Sequence, residues 1–533
     1  MAGPLTHPPE TSLRAWQRHA LDRLADWQRG PFLISAAPGA GKTRPALELA
    51  RDLLAKQVSR RIVVLCPTTP LTRQWAAAAA NLGVQLQPDA ASAQPPRDFH
   101  GVAVTYARVA SDPAAWARKV TGDTLVIVDE AHHLGEDLAW GLGFRTAFSA
   151  AERWLLLSGT PFRSDATPIP GVQYDADGVV VPDVSYTYAE AVAEGICRPV
   201  AFVTFDGSLS WRSGEDVIES SFETVLTGRE ASRRYRTAIS TELPDGLPRI
   251  LKEADAKLRA LRAEGHREAG ALAVAADAGH ARKIAKLLTE ATGKAPVVVL
   301  HTEAKAARKL ADFADTRDPW IVAVNMVSEG VDIPRLRVGV YATAAKTPLI
   351  FRQIVGRFVR TTRGMAPEPS WLYLPADQTL RGHAGEVESE LRYVLRREED
   401  TEGWDEPNER RASEPSDVSD FVPLSAEFAP QMTLFGAPQP LPAGSTAPAV
   451  LDAPPPAAAP AFETRAQLRK ERSRLVGELH RRDGLSHREI NVWLNRAVGL
   501  ERVEDATIKQ LERSIHELEK ELSRKGRPRA AAG

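Results

Sequence analysis

The sequence predicts an α/β protein of two parallel-sheet lobes, followed by a disordered linker and a small all-α C-terminal region. Three observations carry this expectation. Short apolar runs alternate with amphipathic stretches over 30–205 and again over 245–385, the signature of parallel strands joined by helices. Polar motifs begin where several apolar runs end, and open α/β sheets gather their ligands at the carboxyl ends of strands. The composition shifts at about 398, first to acidic residues and then to Pro and Ala, which cannot bury enough apolar surface to order themselves.

In the first lobe the strand candidates are Pro31-Phe-Leu-Ile-Ser35, Arg61-Ile-Val-Val-Leu-Cys66, Gly101-Val-Ala-Val-Thr105, Thr124-Leu-Val-Ile-Val128 and Arg153-Trp-Leu-Leu-Leu157. The second offers Ala271-Leu-Ala-Val-Ala275, Pro296-Val-Val-Val-Leu300, Trp320-Ile-Val-Ala-Val324, Val338-Gly-Val-Tyr341 and Trp371-Leu-Tyr-Leu374. Residues 163–240 read as a connector with some strand. The expected domains are 1–205, 206–397 (connector and second lobe), a linker over 398–462 and a helical region over 463–533. In that last region Ser486-His-Arg-Glu489 is a capping box after the breaker Gly484. Ile508, Leu511, Ile515, Leu518 and Leu522 form a seam at three–four spacing, expected to pack on Leu475, Leu479, Ile490 and Leu494. Arg465, Arg469, Lys470, Arg472, Arg474, Arg481 and Arg482 make a basic stretch interleaved with glutamates, the usual pattern of a solvated face.

At 533 residues the chain exceeds one core, and 43% hydrophobic with 26% charged residues is the balance of a globular protein. The net charge of −1 neither requires nor excludes a nucleic-acid partner, since a local basic surface decides that. Two cysteines, Cys66 and Cys197, without paired spacing argue against disulfides or a zinc site. With no basic-then-apolar leader and no membrane-length apolar run, the expectation is a cytoplasmic, nucleoid-associated protein without a membrane partner.

The chemistry centres on Ala36-Ala-Pro-Gly-Ala-Gly-Lys-Thr43, between a strand and a helix. There Gly39 and Gly41 let backbone N–H groups turn toward phosphate oxygens. Lys42 neutralises the β/γ-phosphates and the Thr43 hydroxyl suits Mg²⁺. Asp129, at the end of an apolar strand, is the second metal-side ligand, and Glu130 orients and deprotonates the attacking water. Arg357 and Arg360, on a helix expected over 347–360 and spaced i and i+3, are expected to point the same way, either as a solvated basic face, the usual fate of such pairs, or as positive charge for a phosphoryl-transfer transition state.

These motifs together resemble superfamily 2 helicases and translocases of the DEAD/DEAH-box type, closest to restriction-enzyme motors and fork-remodelling helicases, over residues 12–375. The resemblance implies two RecA-like lobes, ATP and Mg²⁺ as fuel, and movement along DNA, with RNA as the alternative polymer. It makes Arg14-Ala-Trp-Gln17 the adenine-reading element through Gln17. Ala36, Gly39, Ala40, Gly41, Lys42 and Thr43 become motif I, with Gly330 and Asp332 of Val327-Ser-Glu-Gly-Val-Asp-Ile-Pro334 beside the nucleotide. Thr68, Thr69 and Thr105 grip the nucleic-acid backbone, although strand-end capping accounts for such residues equally well. Asp129-Glu-Ala-His132 is the DEAH motif. Ser158 and Thr160, with Gln353, couple hydrolysis to lobe movement, and Arg357 and Arg360 are the arginine fingers. The implied setting is bacterial DNA repair, fork handling or phage defence; a nucleic-acid sensor or clamp-tethered adaptor ATPase is the reading from a different class. Within the linker, Gln431-Met-Thr-Leu-Phe435 resembles the peptide by which bacterial proteins dock on the DNA sliding clamp, with Gln431 making polar contacts and Met432, Leu434 and Phe435 entering an apolar groove; a chance match and a short segment folding back onto a lobe are the other readings.

Overall fold

The apolar runs pair as parallel strands in two separate sheets in a computed structural model. It describes residues 13–136, 138–159, 168–175, 180–213, 215–226, 228–300, 303, 306–324, 333–361, 369–396, 421–432 and 460–524. The strands in chain order are β1 (Gly30–Ala36), β2 (Arg61–Cys66), β3 (Leu86–Pro88), β4 (Gly101–Thr105), β5 (Thr124–Asp129), β6 (Arg153–Ser158), the short pair β7 (Gln173–Tyr174) and β8 (Val180–Val181), and β9 (Val184–Tyr186). The second set is β10 (Val200–Ser213), β11 (Asp216–Ser220), β12 (Gly270–Ala275), β13 (Val297–Val299), β14 (Trp320–Val324), β15 (Leu336–Ala342), β16 (Ser370–Pro375) and β17 (Phe421–Met432).

The first sheet runs β3-β4-β2-β5-β6-β1-β9, all parallel. Its central strand β5 is buried at every position, as continuous apolar strands covered by helices on both faces must be. The second sheet runs β11-β10-β16-β15-β12-β14-β13, parallel from β10 to β13, while β11 and β17 pair antiparallel with β10. These are the two RecA-like lobes.

Several expectations change. The domain boundary at 205/206 falls inside β10, which already belongs to the second sheet from Val200 onward, so the connector over 163–240 resolves into β7 to β11 and two helices. The segment 398–462, expected to be unordered, contains β17, whose Phe428 and Ala426 are buried in the second lobe's core. Its order comes from backbone pairing with a distant strand, which local composition does not reveal. Finally, the helix expected over 347–360 is Pro348–Phe358, capped by the Thr347 hydroxyl, which accepts from the Ile350 N–H at 3.4 Å.

Gly207 shows how closely β17 approaches: a Cβ there would lie 1.6 Å from the Glu427 carbonyl oxygen. Beyond it, helices Ala461–Asp483, His487–Val498 and Ile508–Ser523 form a bundle around Leu475, Val476, Leu479, Ile490, Leu494 and Leu518, with Ile515 and Leu522 packed against them. The basic stretch is not one solvated face. Arg465 and Arg472 are buried and bonded to neutral oxygens, Arg472 reaching Asn491 at 2.8 Å, whereas Arg474 pairs with Glu471 and Glu478 in solvent. The bundle docks on the β3 edge: Arg465 donates to Gln87 at 2.6 Å and the Ile508 N–H to Asp98 at 2.9 Å. Among the described residues no helix is long and apolar enough to cross a membrane.

Candidate functional site between the lobes

The phosphate-type loop leaves β1 and enters helix Thr43–Ala55. Gly39 and Gly41 have φ of +80° and +88°, a region costly for residues with a Cβ. Ala36 ends the strand, and Ala40 is fully buried beneath the loop. Arg14 donates to the Ala40 carbonyl at 2.6 Å, and Gln17 donates to the Gly41 carbonyl at 3.0 Å while accepting from the Arg14 N–H. Gln17, assigned from the resemblance to reading adenine, thus has both ends of its amide engaged with the chain's own backbone.

Lys42 points across the loop to Glu130, Nζ to Oε1 at 3.5 Å. Glu130 is held in the left-handed region at φ +54°, a conformation that costs a non-glycine residue of order 1 kcal/mol or more and clusters at functional positions. Burial pushes its carboxyl up, yet Lys42, then His132 and His133, outweigh burial and hold it ionised. Asp129 shifts the other way, pushed up to about 6 by burial and then by the charge of Glu130, against Lys42 and the Trp75 indole. That indole donates to Asp129 Oδ2 at 2.7 Å, and the Tyr106 hydroxyl donates to the Asp129 carbonyl. One carboxylate oxygen is therefore fixed by the chain, which orients the other.

Thr43 and Asp129 are the hard oxygen donors that Mg²⁺ takes. No group of three or more His, Cys, Asp or Glu that could hold a metal occurs among the described residues. Such a pair suits a magnesium ion that completes its shell with phosphate oxygens and water, so the residues present fit the group.

Contacts from the second lobe reach this centre. His132 is buried, with Nδ1 3.0 Å from Ser158 Oγ and 3.6 Å from Glu130 Oε2. Gln353 of helix Pro348–Phe358 meets His132 Nε2 at 3.3 Å. The two ring nitrogens of His132 thus meet Ser158 of the first lobe and Gln353 of the second. Arg360 lies against the loop: a Cβ on Gly39 would be 3.2 Å from its Cγ. It does not share a helical face with Arg357, because the helix ends at Phe358 and Arg360 pairs as a β-bridge with Cys197; Arg357 is buried.

Of the residues expected to hold nucleic acid, Thr69 and Thr105 line one small groove with Asp89, Ala90, Val104 and Arg108. Thr105 also caps helix Tyr106–Ser111 by accepting from the Arg108 N–H at 3.3 Å, so its capping role is present. The Thr68 hydroxyl is buried without a hydrogen-bond partner among the described residues. Thr160, Gly330, Asp332, Leu434 and Phe435 lie outside the described residues. Gln431 and Met432 close β17, their backbone in register with Thr204 and Val203, rather than sitting in a free peptide. Sequence reasoning missed Trp75 and Cys197 as parts of this site. Nothing local marks Trp75, whereas Cys197 was visible only as one of two cysteines.

Residues 10–163 match the sequence model of the type III restriction enzyme, res subunit, and residues 256–362 that of the helicase conserved C-terminal domain. Uncharacterised proteins of Mycobacterium tuberculosis and Mycobacterium leprae are 43% and 41% identical over 399 and 394 residues, covering 73% and 72% of this chain. The match spans 65% of each relative's own length. A fragment assigned to an HsdR subunit of a type I restriction enzyme from Vibrio vulnificus aligns at 17% identity with a TM-score of 0.49, over 72% of this chain and 66% of that one.

Proposed function

Because the chain belongs to the superfamily 2 helicases of restriction-enzyme motor type, we propose that it hydrolyses ATP at the inter-lobe site and uses the cycle to move along DNA. One observation supports this reading above the others: the second lobe meets the first at two points of the site, Arg360 against Gly39 of the phosphate-type loop and Gln353 on His132 beside Glu130. A site divided in this way changes when the lobes separate, which is what a motor requires.

In this reading the loop N–H groups and Lys42 bind the triphosphate. Lys42 cannot serve Glu130 and a γ-phosphate equally, so phosphate binding draws the ammonium away and leaves Glu130 the stronger base toward water. Arg360 places fixed positive charge where it develops in the transition state. Mg²⁺, held by Thr43 and Asp129, supplies charge neutralisation on phosphate oxygens when bound. The groove with Thr69, Thr105 and Arg108 contacts the backbone of a single strand without reading its sequence.

The test is ATPase rate without nucleic acid and then with single-stranded, duplex and forked DNA and with RNA. DNA stimulation is expected, with Lys42→Ala, Glu130→Gln and Arg360→Ala each lowering turnover by about a thousandfold. Stimulation by RNA alone would replace the polymer in this reading, and near-normal turnover in Lys42→Ala and Arg360→Ala would reject the two-lobe site.

A further inference from the structure

The chain crosses from one lobe to the other at residues 196–198, and this short segment touches both halves of the candidate site. It follows helix Tyr188–Ala193, which comes after β9 of the first sheet, and it ends two residues before β10 of the second. The Ile196 and Cys197 N–H groups both donate to the Ala191 carbonyl, at 2.8 and 2.9 Å, which turns the chain sharply. Its outer edge then pairs with the end of the arginine motif. Cys197 and Arg360 form an antiparallel bridge, the Arg198 N–H donates to the Val359 carbonyl at 2.7 Å, and the Thr361 hydroxyl donates to the Ile196 carbonyl at 3.0 Å.

The opposite side of Cys197 meets the phosphate-type loop. Its thiol donates to the Pro38 carbonyl at 3.3 Å and is fully buried. Burial pushes the thiol up to about 12 against the nearby Arg14, Arg360 and Arg198, so it stays a neutral S–H donor. The same proline packs on the second lobe, where a Cβ on Gly356 would lie 3.0 Å from Pro38 Cβ and Cγ. The Arg198 guanidinium reaches onward to the Pro334 carbonyl at 3.2 Å.

We propose that residues 196–198 are a tether that sets Arg360 against the phosphate-type loop, with Cys197 as the positioning residue that joins the two. An arginine side chain is long and rotamer-rich, so a fixed backbone origin narrows where its guanidinium can go. Here that origin is fixed by strand pairing to the crossover itself, and the thiol ties the crossover to the loop the arginine faces. The arginine's approach thus starts from a backbone origin set at the crossover.

This inference rests on the proposed ATPase reading, and its test separates the two. In the full-length chain with MgATP and single-stranded DNA, Cys197→Val keeps bulk but removes the donor, whereas Cys197→Ser keeps a donor. The valine variant should lose about tenfold in kcat with KM for ATP nearly unchanged, and the serine variant should stay within about twofold of the parent rate. Parent-like kcat in Cys197→Val, equal losses in Ser and Val, or a loss carried in KM overturns the assignment.

A parent protein that hydrolyses no ATP would fault the ATPase reading instead, and a second measurement then tests the tether without activity. With Cys66→Ala, Cys197 is the only thiol of the sequence. Its reaction with an aromatic disulfide reagent should be at least about 100-fold slower than in the unfolded chain, with or without ATP. Reaction at the unfolded-chain rate means the crossover is not held on the loop and overturns the tether.

Discussion

At the scale of single residues, the acidic pair shows how one backbone step gives two carboxylates different surroundings. Asp129 ends a strand and is buried, while Glu130 turns into the left-handed region toward Lys42. Their pKa values separate because burial and the neighbouring charge of Glu130 raise Asp129, whereas Lys42 and the two histidines outweigh burial at Glu130. Trp75 holds the Asp129 carboxylate in place, and if that carboxylate serves Mg²⁺ as proposed, a partner of this kind tunes affinity strongly. Trp75→Phe should therefore raise the magnesium concentration needed for half-maximal ATPase by roughly tenfold, with the ATP site otherwise intact. A magnesium titration of the variant and parent at saturating ATP checks this; equal midpoints would leave Trp75 a core residue only. The placement of Lys42, Thr43, Asp129 and Glu130 at strand ends was legible in the sequence because each follows an unbroken apolar run by a few residues. Trp75 was not, because its partner is 54 residues away and only the packing of helix Thr69–Ala80 on the sheet brings them together.

At the scale of elements, legibility followed burial. The central strands of both lobes appear in the sequence as unbroken apolar runs, while β3, β9 and β17 do not. β3 and β9 have three residues each, and β17 contains Pro423 and Pro430, which suit an edge strand but hide it from pattern reading. Nevertheless, β17 is built into the second lobe: the Phe428 ring sits 6.4 Å from that of Phe205, and Ser425 bonds to Ser210 at 2.7 Å across 215 residues of sequence. Gly207 permits the contact, since any Cβ would occupy the place of the Glu427 carbonyl. Gly207→Ala should destabilise the second lobe by about 1–3 kcal/mol, the usual range for overpacking a filled site. Denaturant unfolding of the full chain measures this, and an unchanged midpoint would show that β17 pairs too weakly to matter. The bundle was legible in its own seam, but its docking on the β3 edge was not, because Arg465 reads as one of many surface cations until its partners are known.

At the scale of the whole molecule, the question is how a chemical event at Glu130 is felt in the second lobe. Besides the crossover, the described contacts offer a polar path: Glu130 lies beside His132, His132 bonds to Ser158, and Gln353 meets the other nitrogen of the same imidazole. The path ends on helix Pro348–Phe358, which packs on β15 and β16 of the second sheet. Gln353 contacts neither Lys42 nor Glu130 directly in these hydrogen bonds, so its removal should spare much of the chemistry while loosening the link between lobes. For Gln353→Ala the expected outcome is DNA-stimulated hydrolysis within about threefold of the parent, but movement along DNA slowed by more than about tenfold. Both rates are read on one preparation: phosphate release for hydrolysis, and displacement of streptavidin from end-biotinylated single-stranded DNA for movement. Equal losses in the two would assign Gln353 to the chemical step. Equal retention would mean that the lobes communicate through the crossover segment and that the histidine path carries none of the coupling.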